Sequence, residues 1–136
     1  MTLNDTGPLV GLINVADQHH ARCVAALIAL PAEPLLTTWP CFTEAMHLLL
    51  RDGGYSHQAA LWSMYFDGRL VLHQPSTEET QRMAALMERY RNLPMDLGDA
   101  SLVAAAESLG LRSVFTVDGQ FYVYRLENGA ALDVVP

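Results

Sequence analysis

Four carboxylates set the chemistry to be explained. Asp5 lies in Asp5-Thr6-Gly7-Pro8, Glu44 in Thr43-Glu44-Ala45, Asp99 in Asp96-Leu97-Gly98-Asp99-Ala100 and Asp118 in Thr116-Val117-Asp118-Gly119. Singly, each has an ordinary use, as a turn former or as an acid in a first helical turn. Their neighbours argue for more: Glu44 is followed by Ala45, Met46, Leu48 and Leu49, and Asp99 by Ala100, Leu102 and Val103. A carboxylate against an apolar wall is costly unless paired or metal-bound, and clustered carboxylates repel one another and rise in pKa. A divalent cation answers both problems, and oxygen-only ligands select Mg²⁺ or Mn²⁺ over zinc. Asp96, three residues before Asp99, is either the N-cap of a helix or a second carboxylate on the same face.

Acids this far apart in sequence meet only if the fold brings element ends together. Short apolar stretches at 35–38, 70–72 and 113–116 read as buried parallel strands, with weaker candidates at 1–5 and 132–135. Between them lie helical patterns. Pro8 opens one at 8–14, a second runs over 19–30, and a third over 40–51 stops at Gly53-Gly54. Ser56 is the expected cap of a helix over 56–66, Ser76 and Glu79 form a capping box, and a helix over 97–109 ends at Gly110. Strands alternating with helices predict a three-layer α/β/α sandwich with a central, mostly parallel sheet. In such sheets the functional crevice lies beyond the carboxyl ends of the strands, where Asp5 and Asp118 are expected.

The 136 residues suit a single domain spanning 1–136, and 51% apolar residues against 17% charged exclude intrinsic disorder. The longest charge-free stretch, 53–66, is too short to span a bilayer, and the N-terminus lacks a signal-peptide pattern. Cys23 and Cys41 give neither a disulfide framework nor zinc spacing, so a reduced, cytoplasmic setting without membrane contact is expected. All 8 basic residues are arginines against 15 acids, a formal charge of −7. Such a balance argues against a nucleic-acid partner unless cations intervene.

Order and spacing of the four acidic motifs, with Phe121 following the last, resemble the PIN-domain pattern over essentially the whole chain, and within it the toxins of VapBC-type bacterial toxin–antitoxin pairs. The resemblance implies a Mg²⁺- or Mn²⁺-dependent endoribonuclease acting on single-stranded or structured RNA, a homodimer, and inhibition by a cognate antitoxin. Carried over by position, Asp5, Glu44, Asp99 and Asp118 match the catalytic quartet. Thr6 and Thr116 match hydroxyl residues beside it, and His19-His20 matches a rim histidine. Gln120 departs from the pattern, because many relatives carry an acid just before the phenylalanine. Under this reading Asp5 and Asp99 are the main metal ligands and Asp118 completes the set. Glu44 is a ligand or orients the attacking water, and Thr6, Thr116 and Asp96 support the ligands. Two other readings stand beside the toxin: a PIN nuclease of RNA processing or turnover, and a non-catalytic protein-binding domain.

Arg82 and Arg89 share a helix face and are candidate RNA-phosphate contacts or, more simply, ion-pair partners of nearby glutamates. The stretch 56–66 carries Leu61, Trp62, Met64, Tyr65 and Phe66, too apolar for a solvated helix. It belongs to the core or to a dimer or antitoxin groove.

Overall fold

A computed structural model describes residues 1–135; Pro136, the last residue of the expected domain, lies outside them. Five strands form one sheet: β1 (Thr2–Asn4), β2 (Leu35–Thr38), β3 (Leu70–His73), β4 (Ser113–Phe115) and β5 (Asp133–Val135). Their order is β3-β2-β1-β4-β5 and every pairing is parallel. The helices are α1 (Thr6–Ile13), α2 (His20–Ala29), α3 (Trp39–Gly53), α4 (Tyr55–Phe66), α5 (Thr77–Arg89) and α6 (Leu97–Leu109).

Two apolar clusters, one on each side of the sheet, make the three layers. One joins Leu9 and Val10 of α1, Phe42 and Leu49 of α3 and Leu61 of α4 to Leu35 and Leu70. The other joins Met83 and Leu86 of α5 and Leu102 and Val103 of α6 to Leu3, Leu36 and Val114. α6 is buried along most of its length because its small residues Ala100, Ser101, Ala104 and Ala105 let neighbours approach closely. A hydrogen bond of 2.6 Å between the Thr38 and Ser101 hydroxyls ties it to β2.

Sequence order moves from β1 to β2 and β3 on one side, then returns to β4 and β5 on the other. The reversal falls between β1 and β4, the place where open parallel sheets bind ligands. Asp5 follows β1 directly, and Asp118 closes the segment after β4.

Local chemistry explains most element ends. Asp5 caps α1, so that helix begins two residues before Pro8. Ser76 and Glu79 make the capping box of α5, and Gly110 ends α6 in the left-handed conformation. Ser56 is not a cap: α4 starts one residue earlier, after Gly54 at φ 75°, and the Ser56 hydroxyl instead donates to the Gly53 carbonyl. α4 is neither all core nor all surface. Leu61 and Met64 are buried, while Tyr55, Trp62 and Phe66 are exposed. Among the described residues no helix is long and apolar enough to cross a membrane.

Candidate active site

The chain turns sharply from β1 into α1, and Asp5 sits at that corner. Its Oδ1 accepts from the Thr6 N–H at 2.7 Å and its Oδ2 from the Thr116 hydroxyl at 2.8 Å. Thr116 is thus a bridge, since its Oγ1 also accepts from the Asp118 N–H at 2.9 Å. Asp118 in turn accepts from the Gln120 N–H and caps the short 3-10 turn Gly119–Tyr122. Glu44, in the second turn of α3, accepts from the Thr6 hydroxyl at 3.2 Å. Asp96 is the N-cap of α6, accepting from the Asp99 N–H at 2.8 Å. Asp99, three residues on, accepts at 2.7 Å from the phenol of Tyr124.

Burial dominates the electrostatics. Asp5 is pushed up to about 6 by loss of water, against the lowering effect of its bonds to Thr116 and Thr6; Asp118 and Asp96 add repulsion. Asp99 is pushed up to about 8, again by burial first, with Tyr124 opposing and Asp5, Asp96 and Asp118 raising it further. These carboxylates therefore share one field. Cys41 lies beside them, its Sγ 3.8 Å from Asp5, and its thiol is pushed up to about 12 by burial and that charge.

Asp5, Glu44, Asp96, Asp99, Asp118 and Thr6 line one pocket of about 270 Å³. His19 stands at its wall; His20 does not, because its Nδ1 pairs with the Gly11 carbonyl at 2.7 Å. Arg82 and Arg89 are not brought to the acids. Arg82 forms a two-pronged ion pair with Glu107 of α6, at 2.9 and 3.0 Å, and Arg89 lies over the Tyr90 ring. Seven carboxylates and one arginine line the pocket, so it holds nearly all of the chain's formal −7.

Sequence reasoning missed Arg51 and Tyr124. Arg51 is the arginine of the pocket, held by Asp52 at 2.8 Å. A signal existed, because Arg51 stands seven residues after Glu44, two turns along the same helix face. Tyr124 gave none: it lies outside any regular element, in a loop that closes under α6. It is fully buried. Replacing it by Phe leaves Asp99 without its donor, so Asp99 should titrate about one to two units higher, read from its carboxyl carbon by NMR.

One glycine keeps the site in shape. A Cβ on Gly7 would collide with Val117 Cγ2, next to Asp118. Gly7→Ala is therefore expected to cost about 1–3 kcal/mol in urea unfolding and to displace Asp118.

The donor set fits a hard divalent cation. The candidate ligands are carboxylate oxygens around one pocket, and two of them, Asp5 and Asp99, resist ionisation. Each acid is turned toward a protein donor, and no three ligand-type side chains among the described residues close on one point.

Comparison with known proteins places the fold and the family. No curated protein sequence matches the chain. Among solved structures, the crystal structure of Mycobacterium tuberculosis VapC20, described as a Sarcin-Ricin loop cleaving toxin, superposes with a TM-score of 0.84. The match covers 100% of both chains at 17% sequence identity, which establishes likeness of fold. The family model described as PIN domain matches residues 3–126. That span holds all four acids and the switch point between them, and the chain belongs to the PIN-domain family.

Proposed function

We propose that the chain is a Mg²⁺- or Mn²⁺-dependent endoribonuclease acting as the toxin of a toxin–antitoxin pair. The observation that carries this is the meeting of Asp5, Glu44, Asp99 and Asp118 in one pocket at the strand-order reversal. Asp5 and Asp99 would hold the ion and Asp118 would complete its ligands. A bound divalent ion supplies charge neutralisation at the phosphate and a water more acidic than bulk water. The protein's own part is orientation. Thr116 fixes Asp5 and Asp118 relative to each other, Tyr124 fixes Asp99, and Thr6 holds Glu44 where it can orient the attacking water and take its proton.

The fold likeness to a toxin that cleaves the sarcin–ricin loop supports an RNA substrate. The concentration of negative charge in one pocket favours the same reading. Phosphate would meet bound metal there, and the remaining surface is close to neutral. A cytoplasmic setting, a homodimer and an antitoxin belong to the same proposal. The exposed aromatic side chains of α4 support a protein partner, and the acid pocket suits an arginine from an inhibitor. The repulsion that Asp96 and Asp118 add at Asp5 and Asp99 argues against a non-catalytic domain.

Expression in a bacterial host tests the toxin role. Growth arrest with cut RNA, absent in Asp5→Asn and relieved by a small co-expressed partner, is expected. RNA cleavage in vitro without growth arrest would favour a processing nuclease.

A further inference from the structure

Beside the acid pocket lies a second, more apolar hollow of about 680 Å³, lined by Trp39, Pro40, Thr43, His47 and Leu97 together with Glu44 and Asp96. Glu44 and Asp96 line both spaces, so the two share a wall. Trp39 opens α3 and Leu97 opens α6, side by side at the rim. Trp39 is 36% exposed although its ring is braced edge-on against buried Phe42, centroids 5.6 Å apart, and Leu97 is 51% exposed. An exposed ring held by an aromatic neighbour offers the face that base stacking requires.

We propose that this hollow is a nucleobase subsite for the nucleotide adjoining the scissile phosphate, with Trp39 as its stacking face. The proposal rests on the ribonuclease reading above. The chemistry of the rim selects the occupant. A wholly apolar protein segment over Trp39 and Leu97 would strip water from Glu44 and Asp96 without pairing them. A nucleobase brings amino and imino donors at its edge for Asp96 and an apolar face for the indole. The base is thereby chosen by its face and its edge donors, which makes Trp39 a specificity-determining residue rather than a catalytic one.

The chain has two tryptophans, so Trp62→Phe leaves Trp39 as the sole indole reporter. Homopolymeric octaribonucleotides, added with Ca²⁺ in place of Mg²⁺, should quench its emission saturably; an abasic octamer of equal phosphate count should not. Trp39→Ala should raise KM for RNA by roughly 5- to 150-fold at nearly constant kcat. Trp39→Phe should stay within about threefold, since it keeps a stacking face. Absence of quenching, equal quenching by the abasic oligomer, or an emission shift set by protein concentration alone would each overturn the subsite; the last would mean that a second copy covers the ring. If the parent chain cleaves RNA and these signals fail, only the subsite is wrong. If the parent chain does not cleave RNA with Mg²⁺ or Mn²⁺, the ribonuclease reading fails and the subsite falls with it.

Discussion

Asp99→Asn is expected to lower RNA cleavage by a factor on the order of 10³ or more and, in the same protein, to raise the melting temperature measured without metal. Under the proposed function the loss follows from removing a negatively charged metal ligand, an interaction of several kcal/mol in the transition state, at about 1.4 kcal/mol per tenfold in rate. The gain follows from burial. Asp99 is 6% exposed and pushed up to about 8, so near neutral pH the fold carries a carboxyl that resists ionisation beside Asp5, Asp96 and Asp118. Asparagine has nearly the same shape and carries no charge, and its carbonyl can still accept from the Tyr124 phenol. An increase of about 5 °C at pH 7.5 is expected, read by calorimetry. A purely structural Asp99, present only to favour the start of α6, would give the opposite pair of results. Cleavage would persist and stability would fall with the lost helix-terminus charge.

The second large effect is a stability that falls with pH in the absence of metal and recovers when metal is added. Asp5 and Asp99 keep their protons in the folded chain at pH values where the unfolded chain, near 3.8, has lost them. The stability they contribute is complete below about 4. It is lost as pH rises through about 6 for Asp5 and about 8 for Asp99. The melting temperature of the metal-free protein should therefore drop by about 10 °C between pH 5.5 and 8.5. In Asp99→Asn the upper part of that fall should disappear. Under the proposed function Mg²⁺ or Mn²⁺ would bind the ionised acids, so its stabilisation should grow with pH, reaching about 2.7 kcal/mol at a hundredfold excess over Kd. Calorimetry across the pH series, with metal and with EDTA, reads all of these effects.

Much of the fold was legible because burial leaves a plain signature in short elements. The 35–38 stretch, two leucines followed by two β-branched threonines, becomes β2 with both faces covered, and the last helix ends at Gly110, which takes the left-handed conformation that suits glycine. The acids were legible for a related reason: a carboxylate directly after a buried strand, or at a helix start among alanines and leucines, has few cheap places to go. Asp96 was ambiguous from spacing alone, and the bond from the Asp99 N–H gives it the cap role. What stayed hidden depends on contacts between distant segments. Tyr124 reaches Asp99 only because the loop after β4 folds beneath α6. Arg82 looked free for phosphate because its partner, Glu107, lies 25 residues away on a neighbouring helix. Ser56 looked like a cap because its residue type suits one, but a positive-φ glycine had already turned the chain.

The net charge now carries a more specific meaning than repulsion from RNA. Most of the −7 lies around one pocket, so RNA affinity should rise with bound divalent metal instead of requiring a basic face. The claim that this pocket is a metal-dependent ribonuclease site is tested most directly by a Mn²⁺ titration. The bound ion is counted by electron paramagnetic resonance while cleavage of a sarcin–ricin loop hairpin and of single-stranded oligoribonucleotides is followed in the same samples. Cleavage should appear in step with occupancy, vanish with EDTA, and be lost together with Mn²⁺ binding in Asp99→Asn. Cleavage that is unchanged in EDTA, or that persists in Asp99→Asn without bound Mn²⁺, would contradict the account.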